Sequence, residues 1–196
     1  MKSKVCKEKI ILGIDPGTRI LGFGVIRVLD RKVEYVDMGV VNLKKIADHF
    51  LTLNTIFKEV SAIIEKYCPD ELAIEAPFYG KNVQVMLKLG RAQGAAISGA
   101  LQRGIPIFEY APRSIKLAVT GKGAASKEQV ALMAQKELGI NIPQDYLDAT
   151  DALAIALCHH YHSSNTLGSG TIASAGKKRQ GDWAQFVAQN PGRIKK

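Results

Sequence analysis

The stretch IILGIDPGTRILGFGVI, Ile10 to Ile26, limits what this chain can fold into more than any other. An apolar run ends on a single aspartate, Asp15, turns through Pro16-Gly17-Thr18 and starts a second apolar run. Two strands joined at a Pro-Gly turn predict an antiparallel hairpin, Ile10–Asp15 with Leu21–Leu29. Asp15 then ends a buried strand, where a carboxylate is poorly solvated unless it holds a cation or lies beside a phosphate. The segment ELAIEAP repeats the arrangement, with Glu75 ending a short apolar strand just before a proline. If the two strands lie side by side, both carboxylates emerge at one edge of the sheet. In LDATDALAIAL, Asp148 and Asp151 are three apart and share a helix face. Leu153, Ile155 and Leu157 dock that helix on the core, which leaves its first turn near the same edge.

The remaining pattern predicts the class. Lys32–Val41 reads as a third strand and Ile105–Glu109 as a fifth, after Glu71–Glu75. Phe50, Leu53, Phe57, Val60, Ile64 and Tyr67 recur at helical steps and predict a helix over Ile46–Tyr67. Asn82–Arg103 is helical and rich in small residues, Ser126–Leu138 starts on an N-cap serine, and Asp148–His162 is the last helix. Strands followed by alternating helix and strand predict an α/β domain on a mixed five-stranded sheet with helices on both faces. The 196 residues suit one such domain, over residues 1–162. From Ser163 the chain turns small, polar and then basic, so residues 163–196 are expected to form a flexible basic tail. No apolar run approaches the roughly 20 residues of a membrane helix, and Met1–Lys9 does not read as a signal peptide. Cys6, Cys68 and Cys158 form no CxxC pair, as expected of free thiols in the cytoplasm.

Charge and acids together point to a chemistry. The formal net charge of +9 draws the chain to polyanions, nucleic acid foremost. Lys81, Lys88, Arg91, Arg103, Arg113, Lys116, Lys122 and Lys127 all lie between Glu75 and the last helix. The loops FYGKN and TGKGAASK mix bases with glycine, a composition that can follow a phosphate backbone. Taken singly, each acid has an ordinary role, as a turn residue or as a favourable charge in a first helical turn. Crowded together, unpaired carboxylates repel and their pKa values rise. Divalent cations relieve that repulsion, and an all-oxygen ligand set favours Mg²⁺ or Mn²⁺. Two such ions about 4 Å apart can activate water and stabilise the leaving oxygen in phosphodiester cleavage.

The ordered set GIDPGTRILGFGVI, LAIEAPFYGKN, LKLGRAQGAA, FEYAPRSIK, GKGAASKEQV and DATDALAIALCH resembles the RuvC family of Holliday-junction resolvases, over Ile10–His162. The resemblance implies an RNase H-like fold working as a homodimer, each subunit facing one strand of a four-way DNA junction. It implies Asp15, Glu75, Asp148 and Asp151 as ligands of two Mg²⁺ ions per site, with Mn²⁺ able to substitute. Lys116 and Lys127 match basic positions near the DNA, and Lys127 is expected to support the scissile phosphate. Phe78 matches an aromatic at the junction centre, and Lys81 and Lys122 fall in the loops expected to meet DNA. The Asn82–Arg103 helix corresponds to the dimer helix. The branch-migration proteins RuvA and RuvB are the implied partners.

Other readings compete with this one. GIDPGT also resembles the phosphate loop of actin-type and sugar-kinase phosphotransferases, but those need a second, nucleotide-clasping domain that this length does not hold. An rRNA-processing nuclease would keep the fold and the metal site, and LKLGRAQGAA and DATDALAIAL favour the junction enzyme over it. A binding module for branched DNA would gain nothing from acids facing phosphates. CHHYH, Cys158 to His162, lacks the spacing of a structural zinc site, and histidines near a helix C-terminus suit the dipole without a ligand.

Overall fold

The computed structural model describes residues 8–30, 32–77, 82–141 and 147–166. Five strands, β1 (Glu8–Asp15), β2 (Ile20–Leu29), β3 (Lys32–Asn42), β4 (Glu71–Glu75) and β5 (Ile107–Tyr110), form one sheet in the order β3-β2-β1-β4-β5. The first three make an antiparallel meander, and β4 and β5 continue the sheet parallel to β1. The sheet is mixed, as the sequence predicts, and Asp15 and Glu75 end neighbouring parallel strands.

Side chains alternate across a strand, so β1 sends Leu12 and Ile14 to one face and Ile11, Gly13 and Asp15 to the other. The first face is covered by α1 (His49–Tyr67) and α2 (Val83–Leu101). Ile56, Val60, Ile64, Ala92, Ala96 and Ala100 close there on Leu12, Ile14, Val25, Leu72 and Ile74. The second face carries α3 (Pro112–Thr120), α4 (Lys127–Leu138) and α5 (Leu147–Thr166). Leu153 and Leu157 of α5 and Ala134 of α4 pack on Ile11, Ile26 and Val28, while Ile115, Val130 and Ile155 gather around Ala73. From Ala152 to Cys158 every residue of α5 is buried. A helix apolar all round belongs in the middle of a fold, and α5 lies between the sheet and the α3–α4 layer.

Local chemistry sets the ends of these elements. The first helix starts at His49, not Ile46, because Asp48 caps it and accepts the Leu51 N–H at 2.7 Å. Ile46 instead closes a turn onto the carbonyl of Leu43 at 3.1 Å. The Ile105 N–H donates to the Ala100 carbonyl at 3.2 Å, so Ile105 belongs to the turn after α2 and β5 begins at Ile107. The sequence pattern did not disclose α3, although Pro112 opens it and Gly121, at φ 73°, closes it. The last helix outruns its predicted end at His162 and continues to Thr166. The hydroxyls of Ser163 and Ser164 donate to the carbonyl of His160 at 3.0 and 2.8 Å, inside the helix rather than in a tail. Residues 167–196 of the expected tail lie outside the described residues, as do Phe78 and Lys81. Among the described residues no helix is long and apolar enough to cross a membrane.

Candidate active site

The β1–β4 pairing ends at Ile14 and Ile74, so Asp15 and Glu75 each stand one step beyond it on the face that α5 covers. The approach of α5 depends on three glycines. Gly13 pairs with Gly24 across the hairpin, and Asp15 pairs with Gly22. A Cβ on Gly13 would lie 2.1 Å from the Ala152 carbonyl oxygen, and one on Gly22 would lie 2.2 Å from that of Asp148. One on Gly24 would lie 2.6 Å from the Leu153 nitrogen. These strands therefore present a slot without side chains, in which the backbone of α5 rests directly on the sheet. Its first turns are thereby brought beside Asp15. One carboxylate oxygen each from Asp15, Asp148 and Asp151 lies within 4.8 Å of the others. Glu75 completes the group through a hydrogen bond with Asp15.

Lys127 enters from the opposite side. Ser126 caps α4 in a reciprocal capping box with Gln129, which fixes the direction of the first turn. Lys127 Nζ is 2.7 Å from Asp151 Oδ2 and 3.9 Å from Asp148 Oδ1. A lysine in the first turn of a helix opposes the dipole, so the acids across the gap, not the helix, favour its position. Lys116 of α3 joins it in lining a cavity of 280 Å³ together with Asp15, Glu75, Asp151, Ile115 and Ile155.

Burial in this cavity shapes the protonation of the acids. It raises the Asp15 carboxyl to about 6, with the charge of Asp151 adding to the shift and the bond from Glu75 opposing it. It raises Glu75 to about 8, where the charge of Asp15 and the bond to it add to the effect. Near neutral pH the pair therefore favours one proton shared between the two carboxyls. Asp151 is also raised by burial, against the pull of Lys127. Burial acts to lower Lys127, but its bond to Asp151 and that residue's charge prevail and raise it. The donor set is all carboxylate oxygen, partly desolvated and already drawing in an ammonium group. It fits a hard divalent cation such as Mg²⁺ or Mn²⁺ and offers no soft ligand.

The residues singled out in the sequence divide clearly. Asp15, Glu75, Asp148, Asp151, Lys116 and Lys127 converge on one place. Lys122 is exposed in the α3–α4 loop, where its N–H bonds to Thr120 Oγ1 at 3.1 Å, and it does not line the cavity. The histidines of CHHYH have other partners. His159 is buried, hydrogen-bonded to Glu71 and, at 2.7 Å, to the Tyr110 hydroxyl, and His162 Nδ1 bonds to the Cys158 carbonyl at 2.8 Å. Two contributors escaped sequence reasoning. One is the slot, whose signal is glycine at positions 13, 22 and 24, all pointing to one face. The other is Gln93, half-hidden in a run of small residues and buried beneath Glu75.

Comparison with known proteins places this geometry. Residues 11–159 match the family described as Crossover junction endodeoxyribonuclease RuvC. A protein of that name from Christiangramia forsetii is 52% identical over 99% of this chain and 97% of its own. One from Bacteroides fragilis is 53% identical over 96% of this chain and 97% of its own. The structure of Thermus thermophilus RuvC in complex with Holliday junction substrate is similar with a TM-score of 0.73. That likeness carries 31% identity and covers 81% of this chain and 96% of that one.

Proposed function

This chain belongs to the RuvC family of crossover junction endodeoxyribonucleases, and from that premise we propose that it resolves four-way DNA junctions by cutting one phosphodiester in each of two opposed strands. It is an RNase H-like nuclease acting in recombination and DNA repair. The observation that carries this reading is the convergence of Asp15, Asp148 and Asp151 within 4.8 Å, with Glu75 bonded to Asp15, in a chain of net charge +9. A dense negative site on a positive protein suits a metal-dependent reaction on a polyanion.

Asp15, Glu75, Asp148 and Asp151 would hold Mg²⁺, two ions per site, with Mn²⁺ able to replace it. The bound ions supply Lewis acidity and a water of lowered pKa. The protein contributes orientation. Asp15 occupies the middle of the acid group, between Glu75 and the α5 pair. The proton shared by Asp15 and Glu75 would have to leave for these carboxylates to hold an ion. Lys127, held against Asp151, is placed to turn its ammonium to the scissile phosphate once cations take over the acids, and Lys116 adds charge at the rim. Ile115 and Ile155 give the cavity an apolar lining beside the acids. Lys122, Phe78 and Lys81 would meet DNA outside the cavity. The chain would act in the cytoplasm as a homodimer, together with the branch-migration proteins RuvA and RuvB.

A cleavage assay on a four-way junction, a linear duplex and a single strand of equal length, with Mg²⁺ and with EDTA, tests the reading. Paired nicks are expected in the junction alone, abolished by EDTA. Asp15→Asn removes a central ligand worth about 3 kcal/mol or more of transition-state stabilisation, roughly a hundredfold in rate at least. It should still bind the junction. Normal cutting by that variant would remove Asp15 from the metal site, and tight binding without cutting under any metal would make the protein a junction-binding module.

A further inference from the structure

We propose that Gln93 is a positioning residue for the metal site, holding the backbone of Glu75 through a hydrogen bond that no strand provides. The pairing of β4 with β1 stops at Ile74, so Glu75 leaves the ladder on that side. On the other side it pairs with Tyr110, and the next residue, Ala76, donates its N–H to the Tyr110 carbonyl at 2.9 Å. The Glu75 carbonyl accepts from Gln93 Nε2 at 3.2 Å. The same amide nitrogen donates to Glu109 Oε1 at 2.7 Å, which uses its second proton and fixes its direction.

The placement is specific to an amide. Gln93 is 6% exposed, under the end of β4, between α2 and β5. A buried polar group is retained only if its bonds are made, and both donors of this one are. The Ala76 N–H holds one end of the peptide plane that follows the Glu75 Cα, and Gln93 holds the other end at the Glu75 carbonyl, so the two bonds together set the direction of the residue. With β1 no longer paired to it on the other side, the carboxylate of Glu75 would hold an ion less firmly if the Gln93 bond were lost. Groups that orient a metal ligand without touching the metal typically change affinity or activity by about 10–100-fold when removed.

A structural tie between α2 and β5 would need only the Gln93–Glu109 bond, and two variants separate the possibilities. In the swap Gln93→Glu with Glu109→Gln, the amide at position 109 donates to the carboxylate at 93. The tie is kept, but nothing at 93 donates to Glu75. In Glu109→Ala the tie is lost and the Gln93–Glu75 bond is kept. Mn²⁺ binding to the full chain, followed by calorimetry without DNA, is expected to weaken about tenfold or more in the swap. It is expected to stay within about threefold of wild type in Glu109→Ala, well short of that range. Junction cleavage at limiting Mn²⁺ should fall with the lost occupancy, lowering kcat with KM for the junction little changed, and saturating Mn²⁺ should restore it. The inference rests on the reading of Glu75 as a metal ligand, so Glu75→Gln is measured beside them. If Glu75→Gln binds Mn²⁺ like wild type, that reading falls and the inference with it. If Glu75→Gln binds weakly but the swap binds like wild type, or Glu109→Ala loses as much as the swap, Gln93 is a structural tie only.

Discussion

Asp15 and Glu75 share one proton because burial makes two adjacent negative charges costly, and that proton stands where a cation would have to bind. Ion binding must therefore expel it, so metal affinity depends on pH. Glu75 titrates near 4.5 in the unfolded chain and at about 8 in the folded one. Between those values the native state holds more protons than the unfolded state, so metal-free stability falls as pH rises through that window. The sign is opposite to that of a salt-bridged carboxylate. A melting series in EDTA is expected to show the wild-type Tm declining relative to that of Glu75→Gln from about pH 5 to pH 8, a comparison in which the opposite contribution of the buried His159 and His160 cancels. Mn²⁺ should reverse the decline, with an apparent affinity that increases up to about tenfold per pH unit until Glu75 is ionised. A pH-independent Mn²⁺ affinity over that range would mean that Glu75 is already ionised without metal. Lys127 limits the effect, since its ammonium at 2.7 Å already compensates Asp151.

At the scale of elements the decisive contact is between α5 and the β1–β2 hairpin, through the slot of Gly13, Gly22 and Gly24. Gly13→Ala would put a methyl 2.1 Å from the Ala152 carbonyl, which is backbone and cannot rotate away. Overpacking of this kind costs about 1–3 kcal/mol, or roughly 2–12 °C in Tm for a chain of this size. The displaced helix takes Asp148 and Asp151 with it, so Mn²⁺ binding should weaken alongside Tm, as calorimetry and melting would show. Intact metal binding in a destabilised Gly13→Ala would mean that the sheet yields instead of α5. Much of this was legible in the sequence, because strands ending on acids and a helix opening on two acids follow from period and polarity alone. Parallel pairing of β1 with β4 then had to put Asp15 beside Glu75. What escaped was whatever depends on distant partners. The segment PRSIKLAVT is short and opens on Pro112, and its only buried residue, Ile115, finds its neighbours in α4 and α5. Ser163 and Ser164 resemble the start of a tail, yet their hydroxyls return to the His160 carbonyl and prolong the helix. Gln93 looked like one polar residue among alanines and glycines, because its partners Glu75 and Glu109 lie 18 and 16 positions away.

Among the described residues there is one acid cluster that could hold metal, whereas resolving a junction takes two cuts. The surface of the molecule offers a way to supply the second. Along α2, Val83, Leu87, Gly90, Gly94 and Leu101 recur at three-, four- and seven-residue steps and form one stripe, while Ala92, Ala96 and Ala100 bury the opposite side. Val83, Leu87 and Leu101 are 63%, 52% and 62% exposed, and a Cβ on Gly90 or Gly94 would meet nothing within 4 Å. Side chains so apolar and so open suit contact with another surface, and the two bare glycines allow a second helix to come close. A two-fold pairing of this stripe with itself would be isologous and would give the assembly two copies of the acid cluster, one for each strand to be cut. Leu87→Glu tests it by putting two like charges into such an interface without touching the core. The variant is expected to sediment as a monomer where the wild type is a dimer, with Mn²⁺ affinity unchanged and Tm lowered only by the stabilisation the dimer contact supplied. On a supercoiled plasmid that extrudes a cruciform, it should yield nicked circles where the wild type yields linear molecules, because the second cut no longer follows before the first complex dissociates. Dimeric sedimentation together with linear products from Leu87→Glu would place the pairing surface elsewhere on the chain.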